Sequence, residues 1–221
     1  MKVLHVCFLS AFLLIGTAAP VYAATSKEAA SATQNAADKE TTTLIESFYA
    51  TLLETMKQGE TLGFEGRYNK LSPVIEKTFN LPLMTRYAVG PSWSKATKAQ
   101  QESLIKAFTE FSVATYASRF TKYDGEAFLV TGAKPMNARA FMVQTTLTPQ
   151  GEEAIALNYL LRPDQQKKWR IADVYLDATI SELATRRADF GAVIKQGGLD
   201  KLVTSLQDKV AKMKNPETSD K

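Results

Sequence analysis

The chain has 221 residues, of which 45% are hydrophobic and 23% charged, and its formal net charge at pH 7 is +4. This length is sufficient for one well-buried domain. The positive charge is small, and basic and acidic residues alternate along predicted helices such as residues 95–106 instead of forming long basic runs. The composition therefore does not indicate a nucleic-acid-binding protein.

The N-terminal residues 1–23 have the layout of a secretory signal. Lys2 precedes an apolar run over residues 3–15, and residues 21–23 form a small-x-small cleavage motif. The apolar run is too short to cross a bilayer, so a permanent membrane anchor is the weaker interpretation. We therefore expect a signal peptide that is cleaved after Ala23 and an exported mature protein.

The only cysteine, Cys7, and the only histidine, His5, lie inside this predicted signal. The mature chain would then lack both residue types, which excludes serine–histidine and cysteine–histidine catalysis and the usual zinc sites. The sequence also has no phosphate-binding glycine loop, no Gly-x-Ser-x-Gly motif and no acidic metal-binding loop. We expect no catalytic residue, no metal site and no cofactor.

Helices are predicted for the first half of the mature chain. Residues 24–40 contain no large apolar side chain and predict a mobile tail. Apolar residues then recur at three- and four-residue steps over residues 43–59, which predicts an amphipathic helix. Shorter helices are predicted over residues 67–79 and 83–89, and a longer one begins after Thr97, which is placed to act as its N-cap.

After residue 125 the period of the apolar residues changes from about 3.6 to 2, which indicates strands. Turn residues separate four strand-like runs, at residues 127–134, 139–148, 154–162 and 169–177. Their short connections predict an antiparallel meander, and its apolar face must be covered by helices. Helices return over residues 179–195 and 199–212, on either side of Gly197 and Gly198.

N-terminal helices, a four-stranded curved antiparallel sheet and C-terminal helices make an α+β fold, in the order of a nuclear-transport-factor-like cone. We expect one domain over residues 41–214 and a frayed C-terminus over residues 215–221. Cones of this kind serve as enzymes, binding proteins and scaffolds, so the fold alone does not define the function.

One arrangement could support catalysis. Asp173 with Tyr159 or Tyr175 could supply a carboxylate base and a phenolic hydrogen-bond donor, as in ketosteroid isomerase. The alternative is structural, because an acidic residue near the end of a strand commonly caps a turn or pairs with an arginine. The structural interpretation is favoured because no distinctive catalytic motif accompanies these residues.

Large apolar side chains are frequent near the junction of the helices and the sheet. They are Phe79, Met84, Tyr87, Trp93, Phe108, Phe111, Tyr116, Phe120 and Tyr123. Such residues mostly pack in a core, although some could line a cavity for an apolar ligand. Composition does not distinguish these alternatives.

Two stretches of the sequence resemble the MlaC or toluene-tolerance family of periplasmic lipid carriers. The first consists of Phe79-Asn80-Leu81-Pro82-Leu83-Met84, Arg86, Gly90 and Trp93-Ser94-Lys95-Ala96-Thr97, continued by Phe108, Phe111, Thr115-Tyr116 and Tyr123. The second consists of Trp169-Arg170-Ile171, Asp173-Val174, Arg187, Phe190, Gly198-Leu199-Asp200 and Leu202. The resemblance covers residues 43–212, which is nearly all of the predicted mature chain.

Two positions depart from the family pattern. Ala178 stands where a glycine is common, and Arg186 stands where the phospholipid carriers tend to have tyrosine. The run over residues 180–187 is more similar to the hopanoid-associated branch of the family, HpnM. The implied cargo is therefore a phospholipid or a hopanoid.

The resemblance implies a carrier that moves lipid between the inner and outer membranes and so serves outer-membrane lipid homeostasis. Its implied partners are lipid-transport proteins of the two membranes, and we expect the carrier to be a monomer. Two other functions stay open: a small-molecule enzyme that uses Asp173, and an adaptor that binds transport proteins without cargo.

The cost of exposing lipid tails to water predicts what a carrier must contain. Hydration costs about 0.8 kcal/mol per methylene, or on the order of 25 kcal/mol for roughly 30 methylenes. The tails must therefore be enclosed, in a pocket near or above the upper end of the usual range of about 300–1,000 Å³. The predicted lining consists of Leu83, Met84, Tyr87, Phe108, Phe111, Val143, Leu157, Tyr159, Trp169 and Ile171.

Overall fold

The structure is a computed structural model that describes the backbone of residues 22–215 and the side chains of residues 35–215. Most of the predicted signal peptide and the last six residues of the chain lie outside the described residues. The described chain forms five α-helices and one five-stranded antiparallel sheet. The predicted α+β class is therefore confirmed.

Four helices and a short 3-10 helix precede the sheet. They are α1 (Tyr22–Lys57), α2 (Gly59–Thr78), α3 (Leu81–Val89), the 3-10 helix (Gly90–Lys95) and α4 (Lys98–Arg119). Helix α1 begins well before residue 43 and includes residues 24–40, which the sequence predicted to be a mobile tail. That prediction used the lack of large apolar residues, but alanine, glutamate, lysine and glutamine are strong helix formers without an apolar stripe.

Two local signals define the ends of the helices that matter for the site. Thr97 is the N-cap of α4, and its hydroxyl accepts a hydrogen bond from the Gln100 amide at 3.2 Å. The Gln100 side chain in turn accepts from the Thr97 amide, which completes a capping box. The predicted N-cap is confirmed. Asn80 has the same role at α3, where its side chain accepts from the Leu83 amide.

The sheet is a meander in sequence order. Its strands are β1 (Ala127–Asn137), β2 (Ala140–Thr148), β3 (Ile155–Pro163), β4 (Trp169–Leu176) and β5 (Ile180–Ser181). The four predicted strands are all present. The fifth, β5, was not predicted, because its two residues pair with Tyr175 and Leu176 through a tight reversal and are too short to show a period.

The last helix, α5 (Glu182–Lys214), follows its N-cap Ser181, whose hydroxyl accepts a hydrogen bond from the Ala184 amide. It is interrupted at Gly197 and Gly198, where Gly198 has φ of 75°, a conformation that disfavours any residue with a Cβ atom. The predicted break is confirmed. The predicted helix start at residue 179 is three residues early, because Ile180 and Ser181 belong to β5.

The core lies between the helices and one face of the sheet. Its fully buried members include Phe48 and Leu52 of α1, Ile75 of α2, Phe108 of α4, and Tyr159 of β3. Alternate residues of a strand point to the same face, so the predicted apolar faces of β2 and β3 pack onto these helices. Burial decreases toward the start of the central strand β3, where Ile155 is 38% exposed.

Candidate ligand pocket

The helices and the covered face of the sheet enclose a cavity of about 300 Å³, here called the main cavity. Its lining from the helical layer consists of Leu52, Ile75, Phe79, Met84, Phe108, Ser112, Thr115, Tyr116, Arg119 and Phe120. The sheet contributes Phe128, Leu147, Ile155, Leu157, Tyr159, Val174 and Leu176, and the first turns of α5 contribute Glu182, Leu183 and Arg186. About three-quarters of these side chains are apolar or aromatic.

The periodicities of the elements explain this lining. Ile155, Leu157 and Tyr159 are alternate residues of β3, so all three project from one face of the sheet. Phe108, Ser112 and Thr115 follow each other at four and three residues and so share one face of α4. The main cavity therefore forms where the apolar face of a helix meets the apolar face of the sheet.

Aromatic rings occupy much of the space between the two layers. Tyr116 stacks on Phe120 with ring centroids 5.7 Å apart and contacts Phe79 edge-on at 5.7 Å. The volume of about 300 Å³ lies at the lower end of the range for ligand sites, whereas the sequence-based expectation placed it near or above the upper end. That expectation was wrong for this structure, because these rings fill space that a two-chain lipid would need.

The hydroxyl groups near the main cavity are engaged within the protein. Ser112 and Thr115 donate to the carbonyl oxygens of Phe108 and Phe111, each at 2.7 Å. Because these hydroxyls donate to carbonyl groups of their own helix, they leave the surface of the cavity apolar.

A buried chain of hydroxyls lies behind the cavity. The hydroxyl of Tyr49 lies 2.6 Å from that of Thr145, which itself donates to the Leu157 carbonyl. Burial raises the pKa of Tyr49 to about 12 and the pKa of Tyr159 well above its usual value. These phenols are therefore neutral at physiological pH.

Three charged side chains line the main cavity, and this group, here called the mouth, consists of Arg119, which is exposed, Glu182 and Arg186. The guanidinium of Arg186 lies over the ring of Phe111, 4.6 Å from its centroid, and 3.8 Å from the Glu182 carboxylate. Burial, helped by the positive charge of Arg119, lowers the pKa of Arg186, although Glu182 acts in the opposite direction. The mouth thus combines two cationic groups with one carboxylate.

Four of the ten predicted lining residues line the main cavity: Met84, Phe108, Leu157 and Tyr159. Of the other six, Phe111, Val143 and Ile171 are buried in the core. Leu83 is half-buried on α3, and Tyr87 is 45% exposed, with its hydroxyl 3.4 Å from Arg162 Nη1. Trp169 lines a different space, described next.

A second space of about 460 Å³, here called the helical cleft, lies between α1 and α2. Its lining consists of Glu40, Thr43, Leu44, Ser47, Phe48, Thr51, Pro73, Val74, Lys77, Thr78 and Trp169. About half of these side chains are polar or charged. The lining of the helical cleft therefore has a larger share of polar and charged side chains than that of the main cavity.

Sequence reasoning did not assign most of the helical residues, or any of the mouth residues, to the lining of the main cavity, although it noted that Arg186 could contact a head group. Tyr116 and Phe120 were recognised as large apolar residues near the junction, and Arg186 as a departure from the family pattern, but none of them was assigned to a lining. The spacing of Phe108, Thr115 and Tyr116 along α4 was the signal that could have extended the lining around that helix.

The Asp173 carboxylate has structural partners. It accepts hydrogen bonds from the Ser181 hydroxyl at 2.6 Å and from the Leu183 amide at 3.1 Å, and also from the adjacent Val174 amide. Asp173 is buried and thereby fixes the start of α5 against β4. The structural interpretation of Asp173 agrees with these contacts.

Residues 22–215 contain no helix with the length and apolarity needed to cross a bilayer. Within the same residues, no three or more histidine, cysteine, aspartate or glutamate side chains are grouped so that they could hold a metal ion.

These features define an α+β domain in which helices and an antiparallel sheet enclose an apolar cavity with a charged mouth. The family model described as MlaC protein matches residues 26–208, and the chain belongs to the MlaC family. The family resemblance inferred from the sequence motifs is thereby confirmed.

A solved structure has a similar fold. It is a phospholipid-binding protein from Ralstonia solanacearum in complex with a phospholipid, and the two chains superpose with a TM-score of 0.67. Sequence identity is 21%, and the match covers 77% of this chain and 97% of the Ralstonia protein. At this identity the likeness shows a shared fold.

Proposed function

We propose that this protein binds a lipid with its acyl chains in the main cavity and carries it through the periplasm between the inner and outer membranes. The observation that carries the proposal is the apolar lining of a cavity enclosed between helices and sheet. Membership of the MlaC family and the phospholipid bound by the Ralstonia protein of the same fold support it. The signal-like sequence of residues 1–23 supports export to the periplasm.

The energetics of the cargo favour an enclosed site. Each buried methylene contributes about 0.8 kcal/mol, so two acyl chains need most of their length covered. The main cavity has about 300 Å³, which is too little to cover two full chains without a change in shape. A bound lipid must therefore displace aromatic rings of the lining or separate the first turns of α5 from α4.

The cargo that we propose is a phospholipid or a hopanoid. The family and the Ralstonia structure support a phospholipid, and the resemblance of residues 180–187 to the HpnM branch is the reason for including a hopanoid. We further propose that the carrier acts as a monomer and exchanges lipid with transport proteins of both membranes. Arg186 is one residue of that run and lies at the mouth, where it could contact the polar part of the cargo.

A binding function is favoured over catalysis. The one carboxylate that sequence reasoning considered as a base, Asp173, is buried and accepts three hydrogen bonds from its surroundings. Asp173 is also not among the residues that line the main cavity. A general base must reach the proton that it removes, and this carboxylate is directed at the start of α5 instead.

Analysis of bound lipid tests the binding proposal. The full chain would be produced with its own signal in a Gram-negative host, purified without detergent and extracted with chloroform and methanol for mass spectrometry. We expect a phospholipid or hopanoid at a substantial fraction of one molecule per protein. An extract without lipid, together with a failure of the purified protein to take up lipid from vesicles, would overturn the proposal.

Vesicle transfer tests the carrier proposal separately from binding. Fluorescent phospholipid in donor vesicles would be mixed with unlabelled acceptor vesicles, and transfer would be followed with and without the protein. We expect the transfer rate to increase in proportion to protein concentration. Tight binding without any increase in transfer would leave a lipid-binding protein that is not a shuttle on its own.

A further inference from the structure

We propose that Arg119 and Arg186 form an anion-binding site at the mouth of the main cavity, which holds the phosphate group of a lipid whose chains lie inside. This inference rests on the proposed function and specifies the chemistry of the polar part of the cargo. It predicts that a phosphodiester is recognised by the protein rather than left in solvent.

The fold brings the two arginines together at the apolar cavity. Arg119 lies in the last turn of α4 and Arg186 in the second turn of α5, and both side chains belong to the lining of the main cavity. Residues that are distant in sequence therefore place two cationic groups beside the same apolar cavity, close enough for Arg119 to act on Arg186. A lipid with its chains among Phe108, Leu157 and Tyr159 would have its head group at the mouth.

The guanidinium groups retain donors for a ligand. Within residues 35–215, neither Arg119 nor Arg186 donates a hydrogen bond to another protein group, although Arg186 has Glu182 at 3.8 Å. That separation is too long for a hydrogen bond. Each guanidinium carries five N–H donors in a planar fork, which fits the oxygen atoms of a phosphate.

The electrostatics of the mouth favour an anion. The side chain of Arg186 is only 22% exposed and rests on the face of Phe111, so its charge is poorly hydrated. Lys209 adds a third positive charge at the same ring, at 5.8 Å from its centroid. Two carboxylates, Glu182 and Asp189, act on Arg186 and do not balance three cations, so a phosphodiester with a single negative charge would complete the pairing.

Binding of two lipids that differ only in the phosphate tests the inference. The delipidated full chain would be titrated with phosphatidylglycerol and with diacylglycerol of the same acyl chains, each delivered in neutral carrier vesicles. We expect the double variant R119Q/R186Q to bind phosphatidylglycerol about 10- to 100-fold more weakly, the usual loss for hydrogen bonds to a charged group. Its binding of diacylglycerol should change less than about twofold.

Three controls separate a phosphate site from general effects. R139Q removes a positive charge from the exposed turn between β1 and β2, away from the cavity, and should bind both lipids like the wild type. R186K keeps the charge but lacks the planar fork, so it should lie between wild type and R186Q. Inorganic phosphate is added as a competitor. If the arginines form a site for free phosphate, millimolar phosphate should displace phosphatidylglycerol; if the site needs the lipid chains, it should not.

Each outcome decides the matter. Equal losses of affinity for both lipids would mean that the arginines only support the fold. Unchanged affinity for both lipids would mean that the head group is not recognised. Either result overturns the inference while lipid binding stands. A wild-type protein that binds neither lipid overturns the proposed function and this inference with it. Circular dichroism would check folding, and R119Q alone would carry the test if R186Q did not fold.

Discussion

The main cavity and the helical cleft are neighbours in the molecule, but polar and charged side chains make up a larger share of the lining of the helical cleft. The helical cleft is the larger, at about 460 Å³ against about 300 Å³, yet Glu40, Lys77 and several hydroxyl groups line it. A space with polar partners is filled by ordered water, whereas an apolar one gains by holding hydrocarbon. The chemistry of the lining, and not the volume, therefore identifies the main cavity as the site for acyl chains.

Phe48 is the side chain that separates the two spaces. It lines the helical cleft, while its ring contacts Phe79 at 5.4 Å, Tyr116 at 5.5 Å and Tyr159 at 6.5 Å between centroids, and all three of those line the main cavity. The exposed fraction of Phe48 is only 1%. One buried ring thus keeps an apolar space apart from a polar one.

Removal of this ring should have the largest effect on stability. We expect Phe48→Ala to lower the free energy of unfolding by about 3–5 kcal/mol, because a buried aromatic ring is replaced by a void. The measurement is chemical denaturation followed by circular dichroism. Phe64→Ala is the matched control, since Phe64 is half-buried on α2 outside the core, and should cost about 1 kcal/mol.

The same variant tests the separation of the two spaces. If Phe48 only fills the core, the variant should bind lipid like the wild type once its lower stability is allowed for. If the ring is a partition, removal should let the variant accept longer acyl chains, which a chain-length series would detect. Equal stability of the Phe48 and Phe64 variants would contradict the placement of Phe48 in the core.

Filling each space in turn should distinguish them functionally. Ser112 of α4 lines the main cavity and Thr51 of α1 lines the helical cleft, and both hydroxyls bond to the carbonyl four residues earlier in their helix. We expect Ser112→Trp to weaken lipid binding about 100-fold, equivalent to about 2.7 kcal/mol, because the indole occupies the acyl-chain space. Thr51→Trp should leave binding within about twofold.

Fluorescent-lipid titration of the two tryptophan variants gives the result directly. The reverse outcome, with binding lost in Thr51→Trp and retained in Ser112→Trp, would move the lipid site to the helical cleft. Thermal unfolding would show whether either indole disrupts its helix packing.

The fold was largely predictable from the sequence because its signals are local. The turn residues between the strands and the two-residue period give the four long strands, and Thr97 with Gln100 gives the start of α4. The helical state of residues 24–40 and the two-residue β5 were missed, because neither produces an apolar period.

The lining of the cavity was less predictable, for a physical reason. Leu52 and Ile75 line the main cavity, while Ile45 and Leu71 on the same helices are core residues that do not, and all four have the same apolar character in the sequence. Only the three-dimensional packing of the helices on the sheet decides which apolar residue meets a space and which meets another side chain. The same limit applied to Val143 and Ile171, which were predicted to line the pocket but are packed solidly.

Asp173 connects the sheet to the helix that carries the mouth. We expect Asp173→Asn to lower the free energy of unfolding by about 1–3 kcal/mol, because hydrogen bonds of a buried carboxylate to the Ser181 hydroxyl and the Leu183 amide are weakened. Asp177→Asn, at an exposed position just after the same strand, should change stability by less than about 0.5 kcal/mol. Urea denaturation of the two variants provides the values.

The Asp173 variant also bears on the two spaces. Because α5 contributes to the main cavity and not to the helical cleft, loosening its start should increase the rate of lipid release. A stable Asp173→Asn protein with unchanged release would show that the start of α5 does not control access to the cavity.

The smallest expected effect concerns the buried tyrosines. Burial raises the pKa of Tyr49 to about 12, and raises that of Tyr116 and Tyr159 as well, so the folded protein holds these protons more tightly than the unfolded chain, whose phenols titrate near 10. Their contribution to stability is therefore complete below about pH 10 and is lost as the pH rises above that value.

Tyr49→Phe isolates one of these hydroxyls. Thr145 donates to the Leu157 carbonyl, so Tyr49 supplies the hydrogen to the Thr145 oxygen, and its loss should cost about 0.5–1.5 kcal/mol at neutral pH. Between about pH 10 and 12 the variant should lose stability less steeply than the wild type, because one ionisable group has been removed. An equal loss of stability in the variant and the wild type between these pH values would contradict the burial of this phenol.

Tyr116 and Tyr159 line the main cavity and Tyr49 packs behind it, whereas no tyrosine is among the residues that line the helical cleft. Weakening of the fold at alkaline pH should therefore begin at the lipid site.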